Sequence, residues 1–433
     1  MKLSIIGCGY LGAVHAAAMA ELGHEVVGVD VDPVKIEQLR AGRAPFFEPG
    51  LPEVLASAGA SGRLRFTTDL ADAADAVVHF VAVGTPQSRD GNAADLRFVD
   101  AAIDGLLPLL KAGDLVVGKS TVPVGTARRL AERIASGGSG ARLAWNPEFL
   151  REGFAVKDTI EPDRLVYGVD DERDAAVLDE VYATAIAAGT PRIVTDYATA
   201  ELVKVAANAF LATKISFINA LAEMADATGA DVTQLADALG YDKRIGRGML
   251  NAGPGYGGGC LPKDLRAFMH RAGELGVEEV ITLLREVDDI NHHRRGRIVD
   301  VTHDALGGEW IGKNVTVLGA AFKAGTDDVR DSPALDVAGR IQLHGANVTV
   351  YDPEAMENAR KVRPTLRYAP TAIEACREAH AVLHLTEWSE FRELDPVALS
   401  QVVSTPVVVD ARLNLDAAAW RAAGWTYRAP GKP

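Results

Sequence analysis

The stretch Lys2-Leu3-Ser4-Ile5-Ile6-Gly7-Cys8-Gly9-Tyr10-Leu11-Gly12 is followed by Val26-Val27-Gly28-Val29-Asp30. Together they spell a strand, a G-x-G-x-x-G loop, a helix, and a second strand that ends in an acid. Only glycine lets the backbone turn this tightly and approach a pyrophosphate, whose charge then rests on the N–H groups of the next helix. Gly7, Gly9, Tyr10, Leu11 and Gly12 are therefore expected to seat a dinucleotide. Asp30 falls about twenty residues beyond the loop, where a carboxylate receives the ribose of NAD and repels the 2′-phosphate of NADP.

Two further strands end in polar loops: Ala76 to Val83 runs into Gly84-Thr85-Pro86, and Leu115 to Gly118 into Lys119-Ser120-Thr121-Val122-Pro123. The carboxyl ends of strands line the ligand crevice of an open parallel sheet, which makes Thr85 and Thr121 candidate contacts. Either threonine can equally cap the helix after it. Beyond residue 312 the layout recurs in Asn314-Val315-Thr316-Val317-Leu318-Gly319, Asn347 to Asp352, and Ala381 to Leu385. Gly319-Ala320-Ala321-Phe322-Lys323 replaces the glycine fingerprint, so this half is expected to hold a different nucleotide-like ligand. Residues from about 197 to 300 show helical periodicity. The expected fold class is α/β, with two Rossmann-like doubly wound domains, 1–196 and 301–433, joined by a helical segment over 197–300.

With 433 residues, several domains are expected. A hydrophobic fraction of 48% and a charged fraction of 24% suit a soluble enzyme. A net charge of −14 argues against nucleic acid or an anionic membrane as partner. Cys8, Cys260 and Cys376 make no disulfide framework, and no signal peptide or membrane-length run stands out, so a cytoplasmic location is expected.

The run with the most chemical content is Gly257-Gly258-Gly259-Cys260-Leu261-Pro262-Lys263-Asp264. It places a cysteine at a helix start, where unpaired N–H groups and partial positive charge favour the nucleophilic thiolate. On these eight residues alone, a small buried cysteine after a glycine turn is an equal alternative. Lys204 and Asn208 lie one helical turn apart among Val203, Val205, Ala206, Ala207, Phe210 and Leu211, which are expected to be largely buried. A lysine so surrounded needs a partner, and beside a cysteine it would stabilise an oxyanion; a solvated lysine is the other reading. Asp264, one turn after Cys260, fits a general base or simply first-turn helix charge. Glu148 and Glu152, in Asn146-Pro147-Glu148-Phe149-Leu150-Arg151-Glu152-Gly153, suit a sugar hydroxyl and a water. No metal-ligand set has persuasive spacing, and His292-His293-Arg294-Arg295 reads as a solvated helix end.

These motifs, together with Pro49-Gly50-Leu51 and Phe322-Lys323 through Arg330, resemble the nucleotide-sugar dehydrogenase family over essentially the whole chain, in particular its members acting on UDP-glucose. The resemblance implies an N-terminal NAD domain, a dimerisation segment with a long central helix, and a C-terminal domain for the nucleotide sugar. It implies a four-electron oxidation of a C6 alcohol to a carboxylate through a hemithioacetal and thioester on Cys260, with two NAD and one water consumed. GDP-mannose or UDP-N-acetylmannosamine is the alternative substrate, and a non-catalytic sensor of nucleotide sugars the alternative class. Lys204 and Asn208 would hold the C6 oxygen. Asp264, with Thr121, would manage a proton, and Glu152 the hydrolytic water. By the same resemblance NAD would meet Leu11, Asp30, Lys35, Thr85, Thr121, Glu152, Lys263 and Arg330. The sugar nucleotide would meet Glu148, Phe149, Leu150, Arg151, Glu152, Lys204, Asn208, Met249, Leu250, Asn251, Ala252, Gly253, Gly257 and Lys323. Arg244 resembles an arginine that reaches the partner subunit's sugar site. Arg412 resembles a diphosphate-binding arginine, although Leu413 is inserted before Asn414.

Overall fold

The computed structural model describes residues 1–89 and 91–432. They divide into two compact units: Met1–Ala207 with Arg266–Leu275, and Asn208–Leu265 with the chain from Gly276 onward.

The first unit is built on one sheet of β1 (Lys2–Ile6), β2 (Glu25–Val29), β3 (Leu64–Thr67), β4 (Val78–Val81), β5 (Leu115–Gly118), β6 (Arg142–Trp145), β7 (Leu165–Gly168) and β8 (Arg192–Thr195). The strands lie in the order β3-β2-β1-β4-β5-β6-β7-β8. All pairings are parallel except β6 with β7, which meet antiparallel at Trp145 and Gly168. The chain reverses direction across the sheet between β1 and β4, so the loops after those strands flank the switch point where such sheets bind ligands. β4 and β5 are buried along their whole length, as expected of strands covered on both faces. At Gly12 a side chain is excluded outright, since a Cβ would stand 1.7 Å from the carbonyl oxygen of Gly7.

The second unit repeats the layout with β9 (Asn314–Leu318), β10 (Asn347–Tyr351), β11 (Arg367–Tyr368), β12 (Ala381–His384), β13 (Val407–Asp410) and β14 (Thr426–Arg428). The order β11-β10-β9-β12-β13-β14 reproduces the first six positions of the other sheet. The equivalence extends to one acid at the end of the second strand of each sheet. Asp30 accepts the backbone N–H of Cys8 at 2.8 Å in the loop after β1. Asp352 accepts those of Ala320 and Ala321 at 2.7 and 3.0 Å in the loop after β9, and the indole N–H of Trp388 at 3.1 Å. The other Asp352 oxygen takes the N–H groups of Glu354 and Ala355.

Helix Tyr197–Thr228 is 32 residues long, and by length and composition it is apolar enough to cross a membrane, contrary to the expectation that no such run exists. It carries Glu201, Lys204, Asn208, Ser216 and Asn219, all buried, which marks a core helix of a folded protein. The expected burial around Lys204 holds for Val205 but not for Phe210, which is 64% exposed; Leu202, Phe217 and Met224 are also exposed.

The reading of His292 to Arg295 as a solvated helix end is overturned. These residues lie in the middle of helix Glu278–Ala305, and Arg294 and Arg295 are only 1% and 4% exposed. Four polar residues in a row imitate a terminus. Gly296 follows but stays helical, so nothing stops the helix there, and backbone carbonyls together with the Asp336 carboxylate hold the guanidinium groups of Arg294 and Arg295.

Candidate functional site

In the first unit the glycine loop leads directly into helix Tyr10–Glu21, capped by Gly9. A Cβ at Gly9 would meet nothing within 4 Å, so the backbone faces open space where a pyrophosphate approaches the helix N-terminus. Asp30 is buried at the end of β2, with its carboxylate set by Cys8 N–H, Asp32 N–H and the Lys35 ammonium at 2.8 Å. These residues fit a dinucleotide. Thr85 donates its hydroxyl to the carbonyl of Thr121 at 2.8 Å, tying together the loops after β4 and β5.

The segment from Glu148 to Ala155 is fastened at both ends by carboxylates. Glu148 folds back to accept Phe149 N–H and Leu150 N–H at 2.7 and 2.8 Å, while its other oxygen meets the Lys119 ammonium at 3.2 Å. Lys119 is buried and also donates to Asn146 at 3.0 Å and Tyr182 at 3.3 Å. Beside this cluster lies a cavity of about 30 Å³ that His15 also lines; neither ring nitrogen of His15 has a hydrogen-bond partner among the described residues, and burial holds the imidazole neutral. At the other end, Glu48 accepts Gly153 N–H and Ala155 N–H, each at 2.7 Å, together with the Tyr10 hydroxyl of the glycine loop. Glu152, between these anchors, is buried, whereas Arg151 points out to a bidentate pair with Asp158. Lys204 is 8% exposed, with its ammonium 5.6 Å from the centre of the Phe149 ring and, among the described residues, no ion pair to a carboxylate of its own unit. Three residues earlier on the same helix, Glu201 accepts Gly125 N–H and Ala127 N–H and so caps the helix after the Thr121 loop. Burial pushes the Glu201 carboxyl up to about 7 against the pull of those bonds.

In the second unit Cys260 is exposed, and its carbonyl accepts Asp264 N–H at 2.9 Å, so it is the capping residue of helix Leu261–Glu274. Asp264 is buried; one oxygen takes the Asn208 amide at 2.7 Å and the other the Lys263 ammonium at 2.6 Å. The triple glycine that leads to Cys260 lies against the segment Phe322 to Asp331. Gly258 N–H donates to Arg330 O at 2.8 Å, and a Cβ on Gly259 would overlap the Arg330 guanidinium. Arg330 itself pairs with Asp328. Arg412 donates to the carbonyls of Leu385 and Phe322, pairs with Glu387 at 3.0 Å, and lies next to Gly253. It thus gathers the stretch Met249–Gly253, the Phe322–Lys323 loop and the end of β12. Its loop is braced by Asp410, whose oxygens accept from His384, Tyr427, Arg412 N–H and Leu415 N–H. Burial works to raise the Asp410 carboxyl, and these bonds, led by His384, bring it below the usual carboxylate range. Leu413 takes up a left-handed conformation, φ 57°, to fit its extra place in this turn. Arg244 stands apart from this cluster, exposed and paired with Asp242.

Reading the residues alone missed Glu48, Lys119 and Glu201. Each is a buried charge whose partners are far away in the chain.

Three consecutive models of one family match the chain: the NAD binding domain of the UDP-glucose/GDP-mannose dehydrogenase family over residues 1–186, its central domain over 198–293, and its UDP binding domain over 316–417. The chain belongs to the UDP-glucose/GDP-mannose dehydrogenase family. It is 44% identical to the UDP-glucose 6-dehydrogenase of Rhizobium meliloti and covers all of both chains; it is 40% identical to UDP-glucose 6-dehydrogenase YwqF of Bacillus subtilis, over its whole length and 98% of the relative. Among solved structures it is similar to a UDP-glucose dehydrogenase from Pyrobaculum islandicum, with a TM-score of 0.91, 40% identity, and 100% and 98% coverage. It is also similar to a UDP-D-ManNAc dehydrogenase from Pyrococcus horikoshii, with a TM-score of 0.87, 25% identity, and 100% and 99% coverage.

Proposed function

We propose that this protein oxidises the C6 alcohol of UDP-glucose to a carboxylate, with Cys260 as covalent nucleophile. The observation that carries the reading is the exposed Cys260 at a helix N-terminus, one turn before a buried Asp264 held by Asn208 and Lys263. Bound NAD supplies a hydride acceptor twice, for alcohol to aldehyde and for hemithioacetal to thioester.

The remaining work falls to the chain's own residues. The Cys260 thiolate adds to the C6 aldehyde, forming a C–S bond, and the oxygen takes up a proton to give the hemithioacetal. Lys204 and Asn208, one turn apart, face negative charge as it develops on the C6 oxygen. Lys204 suits the task because it is buried and, among the described residues, pairs with no carboxylate of its own unit. Asp264, with Thr121, takes the proton released at C6, and Glu152 orients the water that cleaves the thioester. That step breaks the C–S bond, returns the thiolate and leaves the carboxylate. Asp30, Lys35, Thr85, Lys263 and Arg330 would hold the dinucleotide. Lys323, Arg412 and Met249 to Gly257 would hold the sugar nucleotide.

A homodimer through helix Tyr197–Thr228 belongs to the same proposal. Phe210, Phe217 and Met224 recur every seven residues and are 50–64% exposed, an apolar stripe suited to a second copy. Arg244, exposed and paired with Asp242, would serve the partner's sugar site. We further infer a division into domains 1–196, 197–300 and 301–433, and a cytoplasmic enzyme.

The test is stoichiometry on a panel of UDP-glucose, GDP-mannose and UDP-N-acetylmannosamine. Two NADH per UDP-glucose are expected, with Cys260→Ser stalling turnover. One NADH per sugar overturns the mechanism, and preference for another sugar overturns the substrate.

A further inference from the structure

Arg294 is 1% exposed, yet among the described residues no carboxylate of its unit forms an ion pair with its guanidinium. Its Nε donates to Gly253 O at 3.0 Å and its Nη2 to Pro430 O at 3.4 Å, while Nη1 has no partner among the described residues. Burial pulls the guanidinium down to about 10, against the more distant charges of Asp226 and Glu223. A cation placed this way costs stability, and an apolar side chain of equal volume would generally serve the core better.

What Arg294 does is join two backbone segments. Gly253 is fixed from both sides, since its N–H donates to Asn219 Oδ1 at 2.8 Å. Pro430 belongs to a tail that is itself clamped: Gly431 N–H donates to Asp226 at 2.6 Å, and Gly431 O accepts Val232 N–H at 2.9 Å. Gly431 has φ +89°, and a Cβ there would lie 2.8 Å from Val232 and 2.9 Å from Ala222. The neighbouring helix positions continue the pattern. Asn291 exchanges two hydrogen bonds with the backbone of Tyr256, and Arg295 donates to Tyr256 O and Asp331 O. One face of helix Glu278–Ala305 therefore grips the backbone from Gly253 to Tyr256, four residues before Cys260.

We propose that Arg294 is a positioning residue for the sugar-nucleotide stretch and that the tail at Pro430 and Gly431 is its fixed anchor. The inference rests on the reading of Met249 to Gly257 as sugar-nucleotide contacts. Its consequence is that a disturbance of the tail is felt by the nucleotide sugar and not by the dinucleotide.

Three variants of the full chain test this: Arg294→Met, which keeps bulk and removes both bonds; Arg294→Lys, which can keep one; and Gly431→Val, which unseats the anchor. Loss of a charge-assisted hydrogen bond predicts a KM for UDP-glucose raised about tenfold in Arg294→Met and Gly431→Val, with partial recovery in Arg294→Lys and an unchanged KM for NAD. Backbone amide exchange over residues 250–258 should quicken in the same order. Unchanged exchange in both Arg294→Met and Gly431→Val overturns the inference, as does an equal rise in both KM values. A wild-type chain that makes no NADH from UDP-glucose overturns the functional reading instead, and the exchange rates still decide the role of Arg294. Should Arg294→Met fail to fold, Arg294→Lys and Gly431→Val decide it alone.

Discussion

Asn208 holds one oxygen of Asp264 at 2.7 Å while Lys263 holds the other at 2.6 Å, so a buried acid one helical turn after Cys260 has both oxygens fixed. Asp264→Asn turns an amide N–H₂ toward one of these two donors. The expected outcome is a loss of about 100-fold or more in kcat, with destabilisation of about 1–3 kcal/mol. Initial rates of NADH formation and urea unfolding check the two parts separately. Asn208→Ala leaves the carboxylate one bond short and should destabilise by a similar amount.

Buried Lys119 and partly buried Glu148 form a pair that ties β5 to the loop carrying Glu152. Lys119→Met strands the Glu148 carboxylate, and removal of one partner of such a pair costs about 3–5 kcal/mol. Adding Glu148→Gln should restore more than half of the loss. The urea midpoints of both single variants and the double variant close the cycle.

Glu201 makes stability depend on pH. Its folded-state carboxyl titrates near 7, against an unfolded value of 4.5. The folded state therefore holds a proton that the unfolded state has released, and this contribution is fully present below about pH 4.5 and is lost as pH rises through 7. The shift corresponds to about 3 kcal/mol at most. The gap in Tm between the native chain and Glu201→Gln should therefore move in favour of Glu201→Gln between pH 5 and pH 8, read by calorimetry. A gap independent of pH contradicts the assignment.

Asp30 sits against Lys35 at 2.8 Å. On the proposed cofactor contacts the carboxylate would keep out a 2′-phosphate, and the lysine beside it would welcome one. Asp30→Gly should raise the KM for NAD about tenfold and narrow the preference over NADP, because the Lys35 ammonium loses its counter-charge. Ratios of kcat/KM for the two cofactors measure it.

The fold was legible wherever the signal is local. The glycine fingerprint, the acid after β2 and the apolar strands of both halves each sit within a short stretch, and all of them stand in the structure. Cys260 was legible as a helix start because glycine, cysteine and proline occur together. Glu48 and Lys119 were not, since their meaning lies in Gly153 and Glu148, 105 and 29 residues away by number. The one signal for Lys119 was a lysine that ends the apolar run Leu115 to Gly118. Arg294 was misread because its partners are carbonyls, which no sequence pattern announces.

The two acids at corresponding strand ends differ in what they have left to offer. Every oxygen of Asp352 is taken up by Ala320, Ala321, Glu354, Ala355 and Trp388, and the residue is 1% exposed. The second sheet, despite its matching strand order, has closed the place where a ribose would dock. On the proposed mechanism, one seat would then serve both hydride transfers. Spent cofactor would have to leave and fresh cofactor enter while the half-oxidised sugar waits. On the proposed mechanism, a hemithioacetal on Cys260 would keep the reactive aldehyde from drifting away during that exchange, so the covalent bond would act as storage as well as activation.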